Sequence, residues 1–87
     1  MSDLGLRYWA AARAAAGCDQ ERHPARTVAD ALAAAERAHP ALARVLPVSS
    51  LLVDGHRVTP ETSVAEVAEL GDAGHPTVEV LPPFAGG

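Results

Sequence analysis

The stretch that most constrains the fold is the last one, Thr77-Val78-Glu79-Val80-Leu81-Pro82-Pro83-Phe84-Ala85-Gly86-Gly87. Val78 and Val80 fall on one face of a strand, and Thr77, Glu79 and Leu81 fall on the other. Pro82 and Pro83 then stop any sheet ladder, because neither has a backbone N–H to donate and both have a fixed φ. Phe84 to Gly87 carry little apolar surface to hold them on a core. We therefore expect residues 1–83 to form the folded domain and 84–87 a flexible tail that projects its carboxylate away from the body.

The remaining elements can be read in chain order. Leu4, Leu6 and Tyr8 alternate with Gly5, Arg7 and Trp9, which predicts a first strand with one inward face. Trp9 falls on the opposite face, either under a later loop or on a surface patch for a partner. Ala10 to Ala16 suits a short helical turn closed by Gly17. Cys18 to His23 is polar and poorly patterned, and is read as a second strand forming a hairpin with the first. Thr27 is a good N-cap, and Asp30 places a carboxylate in the first turn of the main helix. Val28, Leu32 and Ala35 make its apolar stripe, widened by Ala31 and Ala38, while Glu36 and Arg37 face water. His39-Pro40 ends that helix, since a residue before proline is pushed out of the α region.

Ala41 to Leu46 is expected to add one further turn, tucking Leu42, Val45 and Leu46 under the sheet. Ser49 to Val53 reads as a strand with Leu51 and Val53 facing in. Asp54-Gly55 suits a two-residue type I′ hairpin turn, and pairing Val53 with His56 sets Leu51 against Val58 so that the apolar faces agree. Ser63 and Glu66 have capping-box spacing ahead of Val64, Val67 and Leu70, which predicts a short helix. Gly71, Gly74 and Pro76 form the loop into the last strand. With one long helix covering one face of about five strands, the layout is α+β. If the first and last strands are central parallel neighbours, the sheet is a β-grasp.

Composition narrows the class further. A chain of 87 residues makes one small domain, and its 48% hydrophobic content, much of it alanine, demands a compact core. No apolar run approaches about 18 residues and no basic-then-apolar leader is present, so we expect a soluble protein without membrane attachment. The single cysteine, Cys18, can form no internal disulfide, which fits a reducing cytoplasm. A formal charge of −4, with no basic stripe, argues against nucleic acid as a partner. All seven basic residues are arginine.

Three segments together resemble the MoaD/ThiS family of ubiquitin-like sulfur carriers, above all the small subunit of molybdopterin synthase. They are Leu6-Arg7-Tyr8-Trp9-Ala10 with its helical turn and Gly17, the Leu52-Val53-Asp54-Gly55 hairpin, and Val78-Glu79-Val80-Leu81-Pro82-Pro83-Phe84-Ala85-Gly86-Gly87. The resemblance covers essentially the whole chain, and its most specific part is the terminal Leu-Pro-Pro-x-x-Gly-Gly pattern. It departs from the family in the Ser63-to-Pro76 segment, which replaces a shorter Asp-Gly-Asp type turn.

The resemblance implies a ubiquitin-like β-grasp and a chemistry for the tail. A ubiquitin-activating-type adenylyltransferase, using ATP and Mg²⁺, would adenylate the carboxylate of Gly87, and a sulfurtransferase donor would convert it to a thiocarboxylate. The large subunit of molybdopterin synthase would then receive the sulfur in a heterotetramer. Gly86 and Gly87 would thread the partners' narrow channels, because glycine has no Cβ and adopts any φ imposed on it. Trp9, Leu81, Pro82, Pro83, Phe84 and Ala85 are the expected partner contacts, with Trp9, Leu81 and Phe84 forming an apolar docking patch on the face away from the helix.

Other residues carry weaker signals. His23, His39, His56 and His75 have no zinc-type spacing and are read as surface or capping residues, so no metal ligand is assigned. Cys18 is paired with no base in the sequence and is read as a structural or exposed thiol. No side chain is assigned a catalytic role, and no permanently bound cofactor is expected. Two functional classes stay open: a sulfur carrier, for molybdopterin or else for thiamin, cysteine or a secondary metabolite, and a ubiquitin-like modifier joined through Gly87 to lysines of other proteins. Without lysine, the chain cannot build side-chain-linked polymers of itself, which counts mildly against the second.

Overall fold

A computed structural model describes residues 2–72 and 74–83. The tail expected over Phe84, Ala85, Gly86 and Gly87 lies outside the described residues. Among those described, five strands form one sheet in the order β2-β1-β5-β3-β4. These are β1 (Asp3–Tyr8), β2 (Gln20–Pro24), β3 (Ser50–Val53), β4 (His56–Arg57) and β5 (Thr77–Leu81). β1 and β5 run parallel at the centre, with Leu6 beside Val78 and Tyr8 beside Val80, and the other neighbours are antiparallel. This is the mixed β-grasp sheet predicted from the strand order.

Each strand of the centre has the inward face its alternation predicts. Leu4, Leu6, Tyr8, Val78 and Val80 are buried on the side covered by the helices. The Asp54-Gly55 turn has φ of 49° and 83°, the left-handed pair a type I′ hairpin needs, and Val53 pairs with His56 as expected. The second strand starts at Gln20, not Cys18, and it does alternate: Glu21 and His23 are half-buried while Gln20 and Arg22 are exposed.

The main helix is α2 (Val28–Ala38), flanked by two shorter ones, α1 (Ala10–Ala16) and α3 (Val64–Leu70). Gly17 ends α1 in the left-handed region with φ 76°, returning its N–H to the Arg13 carbonyl. Thr27 with Asp30 and Ser63 with Glu66 both form complete capping boxes. The two helix starts are also tied to each other. Val28 N–H donates to the Thr62 carbonyl and Val64 N–H to the Arg26 carbonyl, each at 2.9 Å, so amides that a helix leaves orphaned find partners.

The stripe of α2 differs at its end from the sequence reading. Val28, Ala31 and Ala35 are buried and Leu32 is partly so, but Ala38 is exposed. The helix stops there, and the next side chain, His39, reaches the sheet instead, 3.0 Å from Glu21. Two 3-10 turns follow, Pro40–Arg44 and Leu46–Val48. Leu42 is fully buried and Val45 and Leu46 pack against the core, as expected. Among the described residues no helix is long and apolar enough to cross a membrane.

Candidate functional site

The strand that carries the chain toward its terminus is held on both sides. β5 pairs with β1 from Gly5↔Thr77 to Tyr8↔Val80, and with β3 from Leu52↔Glu79 to Ser50↔Leu81. At its exit the Trp9 N–H donates to the Val80 carbonyl at 3.2 Å. At its entry Arg22 crosses the outer face, donating to the Pro76 carbonyl at 3.2 Å and to Asp3 at 3.0 Å. Glycine at position 5 makes room for that crossing, since a Cβ there would lie 2.7 Å from Arg22 Nη1. A strand paired on two sides cannot shift register cheaply, so Leu81 and the diproline after it leave the body at a fixed point. Pro82 is half-buried and Pro83 exposed.

Trp9 and Leu81, both expected on a docking patch, do lie at this exit on the face away from the helices. Trp9 is half-buried there, with two charged side chains against its ring. Its indole N–H donates to Glu79 Oε1 at 3.1 Å, and the Arg7 guanidinium sits 4.8 Å from the ring centroid, within cation–π range. The surface at this exit is therefore amphipathic, an indole edged by one cation and one carboxylate, with Leu81 half-exposed. Phe84 and Ala85 lie outside the described residues.

The fold also gathers residues that sequence spacing left apart. Glu21 and His23 pair with Leu6 and Leu4, so their side chains share the helix-covered face of the sheet. The Tyr8 hydroxyl donates to Glu21 Oε2 at 2.5 Å, His39 Nε2 lies 3.0 Å from Oε1, and His23 Nε2 lies 3.3 Å from Oε2 without hydrogen-bond alignment. Burial works against the Glu21 charge, but the bonds from Tyr8 and His39 outweigh it and hold the carboxyl below its ordinary pKa. Burial, and then Glu21 itself, push the Tyr8 phenol upward. The Cys18 thiol beside them is likewise raised, by burial first and then by the Glu21 and Asp19 carboxylates. The only legible sign was the alternation of Glu21 with His23, which means little until the strand's register is known. The other two histidines stay apart, His56 on β4 and His75 in the loop before β5.

Solved structures with the same architecture span the whole chain. The crystal structure of SAMP1 from Haloferax volcanii is 25% identical and superposes with a TM-score of 0.75, covering 99% of this chain and 100% of that one. A candidate molybdopterin converting factor subunit 1 from Pyrococcus furiosus is 20% identical with a TM-score of 0.72, covering 97% and 100%. The solution structure of small archaeal modifier protein 1 from Methanosarcina acetivorans is 21% identical with a TM-score of 0.65, covering 100% and 98%.

The fold is the ubiquitin-like β-grasp. No family model matches the chain, and no curated protein matches it by sequence. The likeness is to small archaeal modifier proteins and to a candidate molybdopterin converting factor subunit alike.

Proposed function

We propose that this protein is a ubiquitin-like sulfur carrier that works through the α-carboxylate of Gly87, as the small subunit of a cytoplasmic molybdopterin synthase. The observation that carries the reading is the placement of β5. β5, paired along both of its edges, delivers Leu81 and Pro82-Pro83 to one fixed point, and the sequence continues from there to Gly86-Gly87. A carboxylate is a poor electrophile until adenylated. An adenylyltransferase of the ubiquitin-activating type would join it to AMP from ATP with Mg²⁺, releasing pyrophosphate; a persulfide on a sulfurtransferase donor would then displace AMP, and a second thiol would reduce the resulting acyl disulfide to leave the thiocarboxylate. All of this chemistry belongs to the partners' active sites. The carrier contributes a terminus and a surface: Trp9, Leu81, Pro82, Pro83, Phe84 and Ala85 would guide Gly86 and Gly87 into those sites.

A second reading, a ubiquitin-like modifier, is supported by the names of two neighbours, SAMP1 from Haloferax volcanii and small archaeal modifier protein 1 from Methanosarcina acetivorans. It uses the same adenylated Gly87 but ends in an isopeptide bond to a lysine of another protein. Intact-protein mass spectrometry separates the two after incubation with the cognate activating enzyme, ATP and a sulfur donor. A carrier gains about 16 Da as sulfur replaces one carboxyl oxygen. Because oxidation of a thiol or thioether adds nearly the same mass, the experiment is run on Cys18→Ser protein, where iodoacetamide should cap only a thiocarboxylate. Deleting Gly86 and Gly87 should abolish the gain. A gain that survives the deletion, or none with active partners, rejects the carrier; conjugates on lysines of added proteins support the modifier.

A further inference from the structure

The half-buried cluster on β2 is unused by the tail chemistry. It lies on the helix-covered face of the edge strand, whereas Trp9 and Glu79 mark the opposite face. One donor atom from each of Cys18, Glu21 and His39 lies within 4.8 Å of the other two. The three come from different pieces of structure: Cys18 from the turn after α1, Glu21 from β2, and His39 from the C-terminal cap of α2. An edge strand that turned apolar side chains inward here would extend the core of Leu4 and Leu6. Instead it presents the Glu21 carboxylate and the His23 imidazole, which the His39 imidazole joins from the end of α2.

We propose that Cys18, Glu21 and His39 bind a borderline-soft divalent metal ion, zinc above all, with the fourth position open to solvent. Thiolate, imidazole and carboxylate are the ligand types zinc takes, and hard cations such as Mg²⁺ or Ca²⁺ reject such a set. Tetrahedral zinc sets its ligand atoms roughly 3.3–3.6 Å apart. Glu21 and His39 are already 3.0 Å apart, so closing the site asks mainly for rotation of the Cys18 side chain.

Two further observations favour a metal over a self-satisfied hydrogen-bond cluster. Among the described residues, Glu21 has no arginine within ion-pair distance; the ring nitrogens of His23 and His39 are its only such neighbours. Beside the site, the buried Nε2 of His23 lies 3.3 Å from Glu21 Oε2 without an aligned hydrogen bond, so this polar cluster does not satisfy all of its own groups. On binding, the metal replaces the thiol proton of Cys18, which leaves to solvent, and His39 offers the Nε2 lone pair. Glu21 would bind through Oε1, because Oε2 already accepts from Tyr8. The Tyr8 hydroxyl is thereby a positioning group for the ligand carboxylate.

Cobalt reports on such a site directly. Untagged, reduced full-length protein should take up one Co²⁺ per chain with a near-ultraviolet sulfur-to-cobalt charge-transfer band, and Zn²⁺ should displace it. Cys18→Ser should lose the band. Tyr8→Phe keeps the buried ring and the fold but frees Glu21, and should weaken binding by about ten-fold or more. His39→Gln should weaken it at least as much, with an unchanged far-ultraviolet spectrum confirming the fold. Absence of cobalt binding by folded wild-type protein, a band that persists in Cys18→Ser, or full affinity in both Tyr8→Phe and His39→Gln overturns the site. None of these readouts uses the terminal glycines, so the outcome is independent of the sulfur-carrier reading.

Discussion

Trp9 and Glu79 join the beginning and end of this chain: the indole N–H donates to Glu79 Oε1 at 3.1 Å across the parallel pair β1 and β5. The bond orients the one tryptophan of the protein beside the exit of the terminal strand. Glu79→Gln keeps an acceptor and should leave both stability and fluorescence close to those of the parent. Glu79→Leu removes it and should shift the tryptophan emission and lower stability by about 1 kcal/mol or less, as for a half-exposed hydrogen bond. Urea titration followed by fluorescence checks both, and equal behaviour of the two variants would mean the bond is idle in solution.

Leu81 lies half-exposed at the same exit, on the outward face of β5 and paired with Ser50. Its burial in the core is slight, so Leu81→Asp should fold. If Leu81 is a hot spot of a docking patch, a charge there should reduce affinity for a large-subunit partner by more than about ten-fold, since losing a central hot spot costs about 2 kcal/mol or more. Phe84→Ala should weaken the same association. Titration calorimetry on folded variants measures it, and unchanged affinity in both removes the patch from consideration.

Gly55 occupies the second position of the β3–β4 turn at φ 83°, with nothing within 4 Å of where a Cβ would stand. Space is therefore available for a side chain, and only the backbone objects. Gly55→Ala should destabilise by about 1 kcal/mol through the left-handed conformation alone. Asp54→Asn, which tolerates positive φ as well as aspartate does, should be nearly neutral. Thermal denaturation compares the two; an alanine as well tolerated as the asparagine would show that the turn relaxes to another type.

Asp30 caps α2 by accepting from the backbone N–H of Arg26 at 3.0 Å and of Thr27 at 3.3 Å. The Arg26 amide first, and the Thr27 amide next, hold its carboxyl below the ordinary value of 3.8. A group whose pKa is depressed by folding contributes stability above its unfolded value and loses it as pH falls through the folded one. Asp30→Asn should therefore lower the melting temperature at neutral pH and converge with the parent in acid, below the depressed pKa. Melting curves across that range test it, and a difference that stays constant with pH would contradict the charge-based cap.

Much of this architecture is written in local chemistry. The two-residue period of Leu4, Leu6 and Tyr8, the Thr27–Asp30 and Ser63–Glu66 boxes, and the positive-φ pair Asp54-Gly55 each need only neighbours a few residues away, so each is legible before any fold is known. The exit of β5 toward the terminal glycines was legible for the same reason, because Pro82-Pro83 ends a ladder wherever it stands. Tertiary packing decided the rest. The bond from Trp9 to Glu79, 70 residues away, depends on the first and last strands lying side by side. The meeting of Cys18, Glu21 and His39 depends on where α2 crosses the sheet and stops, which moved Ala38 out to solvent and turned His39 inward. No periodicity encodes such a meeting: residues from a turn, an edge strand and a helix end become neighbours only when the core of Leu4, Leu6 and Val28 closes between them.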